Sequence, residues 1–250
     1  MNYNPAGDTD ATEFIEMLNI TGATLDLGGC HFDEELGQGI AYTFSAGVQV
    51  APGARIVIAR NRTAFLAAYP ASAAQLAAGQ YDPTGFDNGG EMLVLYAASG
   101  LEIFRFTYSD SITSTDGGGR TLVRLLSSTS PNPSTYLWRE SMQTNGNPGT
   151  SDAITFAGSP LADVDGDGIP AIIEYACGSS DNNAASRPAQ PQFVFNVNGT
   201  VAVTYPTVVN ADDVICTVET TTTLGSGWVP VTGPIASGGN RSFRLSVTLR

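Results

Sequence analysis

Turn-forming residues interrupt this chain so often that long helices have little room. With 28 Gly and 14 Pro in 250 residues, many Thr, Ser and Val, and 14% charged side chains, the sequence favours short strands joined by turns, and the expected fold class is all-β. Its length and 42% hydrophobic share suffice for one large core or two moderate ones. Runs at 13–19, 24–27, 42–44, 55–59, 91–96, 101–108 and 121–126 are bounded by Gly, Pro and Asn, giving the short strands that a β-sandwich requires. Alternation is clearest at Phe104, Phe106 and Tyr108, which share one face, with Arg105 and Thr107 on the other. The aromatic face is the expected core face. The Ala-rich stretch 63–78 holds helix formers, but Pro70 splits it, so two short turns are expected there. After Leu126, Ser, Thr, Pro, Asn and Gly dominate (SSTSPNPSTY, then QTNGNPGTSD), which closes a first domain over residues 1–150.

A second strand series follows at 193–197, 201–205, 214–220, 228–231 and 242–249, forming a small β domain over residues 193–250. Asn198-Gly199 is expected to turn the first hairpin with both residues at positive φ. In the last segment Phe243, Leu245, Val247 and Leu249 alternate with Arg244, Ser246 and Thr248, the pattern of a strand with one buried face. Residues 151–192, ending in the polar run SSDNNAASRPAQPQ, read as a linker between the two domains.

That stretch carries the one motif with specific chemistry. Asp163, Asp165, Asp167 and Glu174 occupy positions 1, 3, 5 and 12 of a loop with Gly168 at position 6. This is the register in which calcium takes three closely spaced carboxylates, the carbonyl of residue 7 (Ile169), a water at residue 9 (Ala171) and a two-oxygen Glu at 12. Gly168 permits the sharp turn, and without a cation the adjacent carboxylates repel one another. No amphipathic helix precedes Asp163, and Pro170 limits the segment after the loop's turn to one short helical turn through Tyr175. The loop therefore reads as a structural calcium (Ca2+) clamp that fixes the angle between two domains, not as a sensor.

Charge and composition narrow the function further. The net charge of −13 arises from 24 acidic against 11 basic residues, all of the latter Arg, and such a surface repels a phosphate backbone, so no nucleic-acid partner is expected. The same acidity suits solubility and a calcium-rich medium. No run of 18 apolar residues is present, so no membrane-spanning helix is expected. The opening MNYNPAGDTD is polar and turn-like, so the chain is expected to be a segment of a longer secreted protein. Cys30, Cys177 and Cys216 lack metal-type spacing and fix no disulfide framework, although Cys177 and Cys216 could pair.

A catalytic constellation is not found. The sole histidine, His31, follows Cys30, but neighbours on a strand point to opposite faces and would not form a nucleophile–base pair. Asp33/Glu34 and Asp212/Asp213 are carboxylate pairs whose separation nothing fixes. Gly117-Gly118-Gly119 precedes a strand, not a helix, and is no phosphate loop.

The order of EFIEMLNITGATLDLGGCHF, TFSAGVQVAPGARIVIA, TLVRL and YLWRESMQTNGNPGT resembles the lamin-tail domain of bacterial secreted and surface proteins, over about residues 1–150. The resemblance implies an immunoglobulin-like β-sandwich, with Trp138-Arg139 and Asn147-Pro148-Gly149 matching the family's closing signature. Two departures stand out. Only Met1 precedes Asn2-Tyr3-Asn4-Pro5, so the first strand is expected to be truncated and its sheet edge open, and Cys30 stands where the family often has Trp. DVDGDGIPAIIEYACGSSD is similar to the thrombospondin-type-3 or dockerin-like calcium motif, and the remainder looks like the small β module that comes after it in such proteins.

Taken together, these features point to a non-catalytic structural or interaction module of an extracellular or cell-surface protein. Its expected partners are other domains of a longer parent chain or copies of itself, joined by strand addition through 243–249. The alternative is a polymer- or carbohydrate-binding accessory domain of a larger secreted hydrolase, using Tyr3, Tyr69, Tyr81, Tyr136 and Trp138.

Overall fold

The computed structural model describes residues 1–7, 10–33, 39–81, 83–125, 138–225, 227–236 and 240–250. The chain is all-β and immunoglobulin-like in its first part, and it divides into two compact units, Met1–Asp152 and Ala153–Arg250.

In the first unit, β1 (Phe14–Leu18), β2 (Leu25–Asp26), β3 (His31–Phe32), β4 (Tyr42–Thr43), β5 (Gln49–Val50) and β6 (Arg55–Ala59) lead into helix α1 (Arg62–Ala68). Strands β7 (Met92–Tyr96), β8 (Glu102–Thr107), β9 (Leu122–Arg124) and β10 (Trp138–Glu140) come next. An antiparallel sheet of order β4-β3-β7-β8 faces the pairs β1-β6, β2-β5 and β9-β10. Between these layers lies one core, built from Ile15, Ile56 and Ile58 on one side and Phe32, Leu93, Leu95 and Phe106 on the other.

The apolar run of β6 has a simple cause. Ile56 and Ile58 point into this core, while Val57 and Ala59 face a second cluster with Phe14, Phe65 of α1 and Leu76. A strand covered on both faces has no polar positions to alternate. Asn61 starts α1, its side-chain oxygen accepting the Ala64 N–H at 3.0 Å, and Pro70 prevents the helix from continuing. The expected pair of turns is thus a two-turn helix followed by a single 3-10 turn over Pro70–Ser72.

The aromatic face read from the sequence is the core face: Phe106 and Tyr108 are buried and Phe104 packs against them, while Arg105 and Thr107 are exposed. Asn2 exchanges two backbone hydrogen bonds with Phe14 (2.9 and 3.2 Å), and the Leu122 N–H donates to the Met1 carbonyl (2.8 Å). Residues 1–4 therefore pair alongside β1 and β9, where the sequence led one to expect an open edge.

In the second unit, helix α2 (Ala171–Cys177) precedes β11 (Gln192–Phe195), β12 (Thr200–Thr204), β13 (Val214–Thr221), β14 (Val229–Pro230), β15 (Ile235–Ala236) and β16 (Ser242–Leu249). Two three-stranded sheets result, β11-β12-β15 and β14-β13-β16, the latter holding an unbroken register from Val214↔Leu249 to Thr221↔Ser242. Its core joins Ile172 and Ala176 of α2 to Val214, with Phe156, Tyr175, Ala211 and Val247 around them. From Ala153 on, the stretch expected to be a linker thus belongs to this unit, because its apolar side chains have found a sheet to cover.

Two local expectations are corrected here. Of the Asn198-Gly199 pair only Gly199 takes positive φ (76°). Its N–H donates to the Asn196 carbonyl and the Asn196 N–H to that of Thr200, so residues 197–199 form a three-residue loop closed by a left-handed glycine. Asn198 instead caps the loop with its side chain, accepting from the Thr200 N–H (3.2 Å) and hydroxyl (2.7 Å). The apolar face of β16 is only half-buried and Leu249 is exposed, since what covers it is narrow: α2 near Val247 and Phe193 near Phe243.

Candidate metal centre

The acidic loop folds around its own carboxylates. Asp163 accepts the N–H groups of Asp167 (3.1 Å) and Gly168 (3.0 Å), Asp165 accepts that of Asp167 (3.1 Å), and Asp167 accepts that of Ile169 (2.9 Å). Gly166 (φ 73°) and Gly168 (φ 89°) supply the left-handed turns this winding needs. As a result Asp163, Asp165 and Asp167 each present an oxygen within 4.8 Å of the others. That span is about twice a calcium–oxygen bond, so one ion could touch all three.

Within the loop, Pro170 holds the position ahead of α2, and the Ala171 N–H is taken by the Ala162 carbonyl (2.7 Å). Ala171, at loop position 9, is buried and offers no side-chain oxygen, while Ile169, at position 7, lies where the backbone turns into the helix. One turn into α2 comes Glu174, only 1% exposed. It stands outside the trio's 4.8 Å group, yet the charges of Asp165, Asp167 and Asp181 reach it. Burial, and then those charges, push its carboxyl above the usual range, against the opposing effect of the Ser179 hydroxyl.

How Glu174 is held is set by the helix end. Gly178 adopts φ 78°, its N–H reaching the Tyr175 carbonyl, and the Ser179 N–H returns to the Glu174 carbonyl (3.0 Å), the paired bonds of a Schellman cap. The Ser179 hydroxyl then donates to Glu174 Oε1 (2.9 Å). Glu174 Oε2, Asp165 Oδ2 and Asp167 Oδ2 are buried and accept no hydrogen bond, and of these Asp167 Oδ2 has the Arg187 guanidinium 3.4 Å away as an ion pair. A buried carboxylate oxygen without a donor is costly unless a cation or proton takes its place. The donor set is oxygen only, which suits calcium or another hard cation and not a thiolate-seeking metal.

Of the four acidic side chains named from the sequence, the structure gathers Asp163, Asp165 and Asp167 and leaves Glu174 outside their group, and it adds Gly166, Ser179 and Asp181, which the sequence reading did not name. Gly166 was readable as a second glycine beside an Asp, while the other two are brought in by the chain reversal after α2.

Elsewhere, residues weighed from the sequence take structural roles. Cys30 is in the core while His31 stacks on Tyr96 (5.5 Å) with Nε2 3.6 Å from Asp33. All three cysteines are free thiols, and burial pushes that of Cys177 up to about 11. Asp213 accepts from the Tyr175 hydroxyl (2.7 Å) and the Phe156 N–H (2.6 Å). Tyr3 and Tyr81 are completely buried, and Trp138 packs on Phe106 (5.7 Å), so these aromatics fill the first unit's core and form no exposed stacking face. Glu34 and Tyr136 lie outside the described residues.

The first unit has the architecture of an immunoglobulin-like domain. Within it, residues 1–110 match the family model of the Lamin Tail Domain. No curated protein and no solved structure matches the chain. Among the described residues no helix is long and apolar enough to cross a membrane.

Proposed function

We propose that residues 163–174 bind a calcium ion and that the chain is a non-catalytic structural or interaction module of an extracellular or cell-surface protein. The observation that carries the calcium reading is Glu174 Oε2, buried with no donor of its own one helical turn after a loop whose three aspartates converge. Because α2 holds Glu174 at one end and packs through Ile172 and Ala176 on Val214, the ion would brace the second unit internally. The sequence suggested a joint between domains; this reading makes the loop a clamp within one of them. The lamin-tail match and the immunoglobulin-like core support the module reading for the first unit.

Thermal unfolding with calcium and with a chelator tests the clamp. The second unit should melt higher with calcium, and Asp165→Ala or Glu174→Ala should erase the difference. An unchanged melting temperature for the unaltered protein would reject calcium binding.

A second reading, assembly by strand addition, has its own support. Strand β11 lies at the edge of its sheet with Phe193, Val194 and Phe195 exposed, a template for another chain's strand. Light scattering decides it: a strict monomer at high concentration excludes assembly.

A further inference from the structure

We propose that Asp181, seven residues beyond the loop's last position, supplies a further oxygen to the calcium ion. This inference rests on the calcium reading above. Calcium takes six to eight oxygens. Asp163, Asp165 and Asp167 offer one each, and the Ile169 carbonyl stands at the position that supplies a fourth. Glu174, which in this register gives two, has Oε1 engaged by the Ser179 hydroxyl and only Oε2 free. Ala171 has a methyl where a ninth-position side chain would reach the ion. Counting Glu174 once, the loop brings five protein oxygens, so a sixth comes either from the water of position 9 or from another side chain.

Asp181 is placed to be that side chain. Its position is dictated by the helix cap: the left-handed Gly178 reverses the chain, Ser179 lands on Glu174, and two residues later Asp181 Oδ1 accepts the Val164 N–H at 3.1 Å. Val164 lies between Asp163 and Asp165, so the Asp181 carboxylate sits against the first turn of the loop. With Oδ1 fixed by Val164, Oδ2 is the oxygen left for the ion. The segment 178–181 thus closes the site from behind, one residue holding Glu174 and another adding a ligand.

The test uses the full chain, calcium titration calorimetry, and terbium luminescence lifetimes in H2O and D2O, which count the waters on a bound ion. Asp181→Ala should weaken calcium binding on the order of 10- to 100-fold and add one water to the bound terbium. Asp181→Asn keeps an oxygen for Val164 and for the ion but loses the charge. It should fall between the two in affinity with no added water. An Asp181→Ala protein with the original water count overturns the proposal, whatever its affinity, because Asp181 would then act only through charge or loop shape. Should Asp181→Ala fail to fold in chelator, the asparagine variant decides, and affinity equal to that of the unaltered chain overturns it. Failure of the unaltered chain to bind either ion would reject the calcium reading itself.

Discussion

Both units bury glutamates, and the two units treat them differently. In the first, Glu91 accepts from the Gly39 N–H, the Asp87 N–H and the Tyr108 hydroxyl, and Glu13 takes the Arg60 guanidinium on one oxygen (2.9 Å) and the Phe86 N–H on the other (3.1 Å). In the second, Glu174 has one hydroxyl donor, three acidic neighbours and a bare oxygen. Burial alone therefore does not mark a ligand. What distinguishes Glu174 is that the chain supplies negative charge where, around Glu13 and Glu91, it supplies donors.

The comparison can be broken at several points. The largest expected effect is on the first unit's packing: Phe65→Ala empties a fully buried site and should cost about 4 kcal/mol, equally with and without calcium. A calcium-dependent cost would mean the two units are not independent. Next comes the ion. At free calcium 100 times the dissociation constant, binding to the folded state adds about 2.7 kcal/mol. For a unit of this size that raises the melting temperature by on the order of 10 °C, and only the second unit's transition should move.

Acid should reveal Glu13. Burial pushes its carboxyl from 4.5 up to about 7, against the pull of Arg60 and the Phe86 N–H. The folded state then keeps a proton that the unfolded chain has released, so this contribution is complete below about pH 4.5 and is lost as pH rises towards 7. The swing should be roughly 2–3 kcal/mol. Glu13→Gln should flatten it in melting curves between pH 4.5 and 7.5. Smallest is the helix cap: Asn61→Ala removes the acceptor for the Ala64 N–H and should cost about 1 kcal/mol.

What the sequence disclosed depends on the range over which each signal acts. Strand β6 was readable to the residue because its five positions, apolar after Arg55, sit between turn signals. Strands β3, β5 and β15 have two residues each and β10 three, too few to show any period. Tyr3 and Tyr81 stand in turn-rich stretches and look exposed, yet the loops that hold them fold over the sandwich, a placement only tertiary structure decides. The acidic loop divides the same way. Its aspartates and Glu174 are legible because helix and loop geometry fix their spacing within about 12 residues, whereas Ser179 and Asp181 return to the site through a left-handed glycine whose consequence is spatial.

Strand β6 has one more consequence. A strand with a wet face resists slipping by one residue because the slip would drown its polar side chains in the core or strand its apolar ones in water. β6 has no such guard beyond Arg55, since residues 56–59 are apolar on both faces. Its register is written in volume: bulky Ile56 and Ile58 fill the sandwich, and slimmer Val57 and Ala59 leave room for Phe65. A slipped β6 would remain dry and merely misfit. Substitutions that even out those sizes, such as Ala59→Ile with Ile58→Ala, would therefore attack the uniqueness of the pairing before they attack its hydrophobicity.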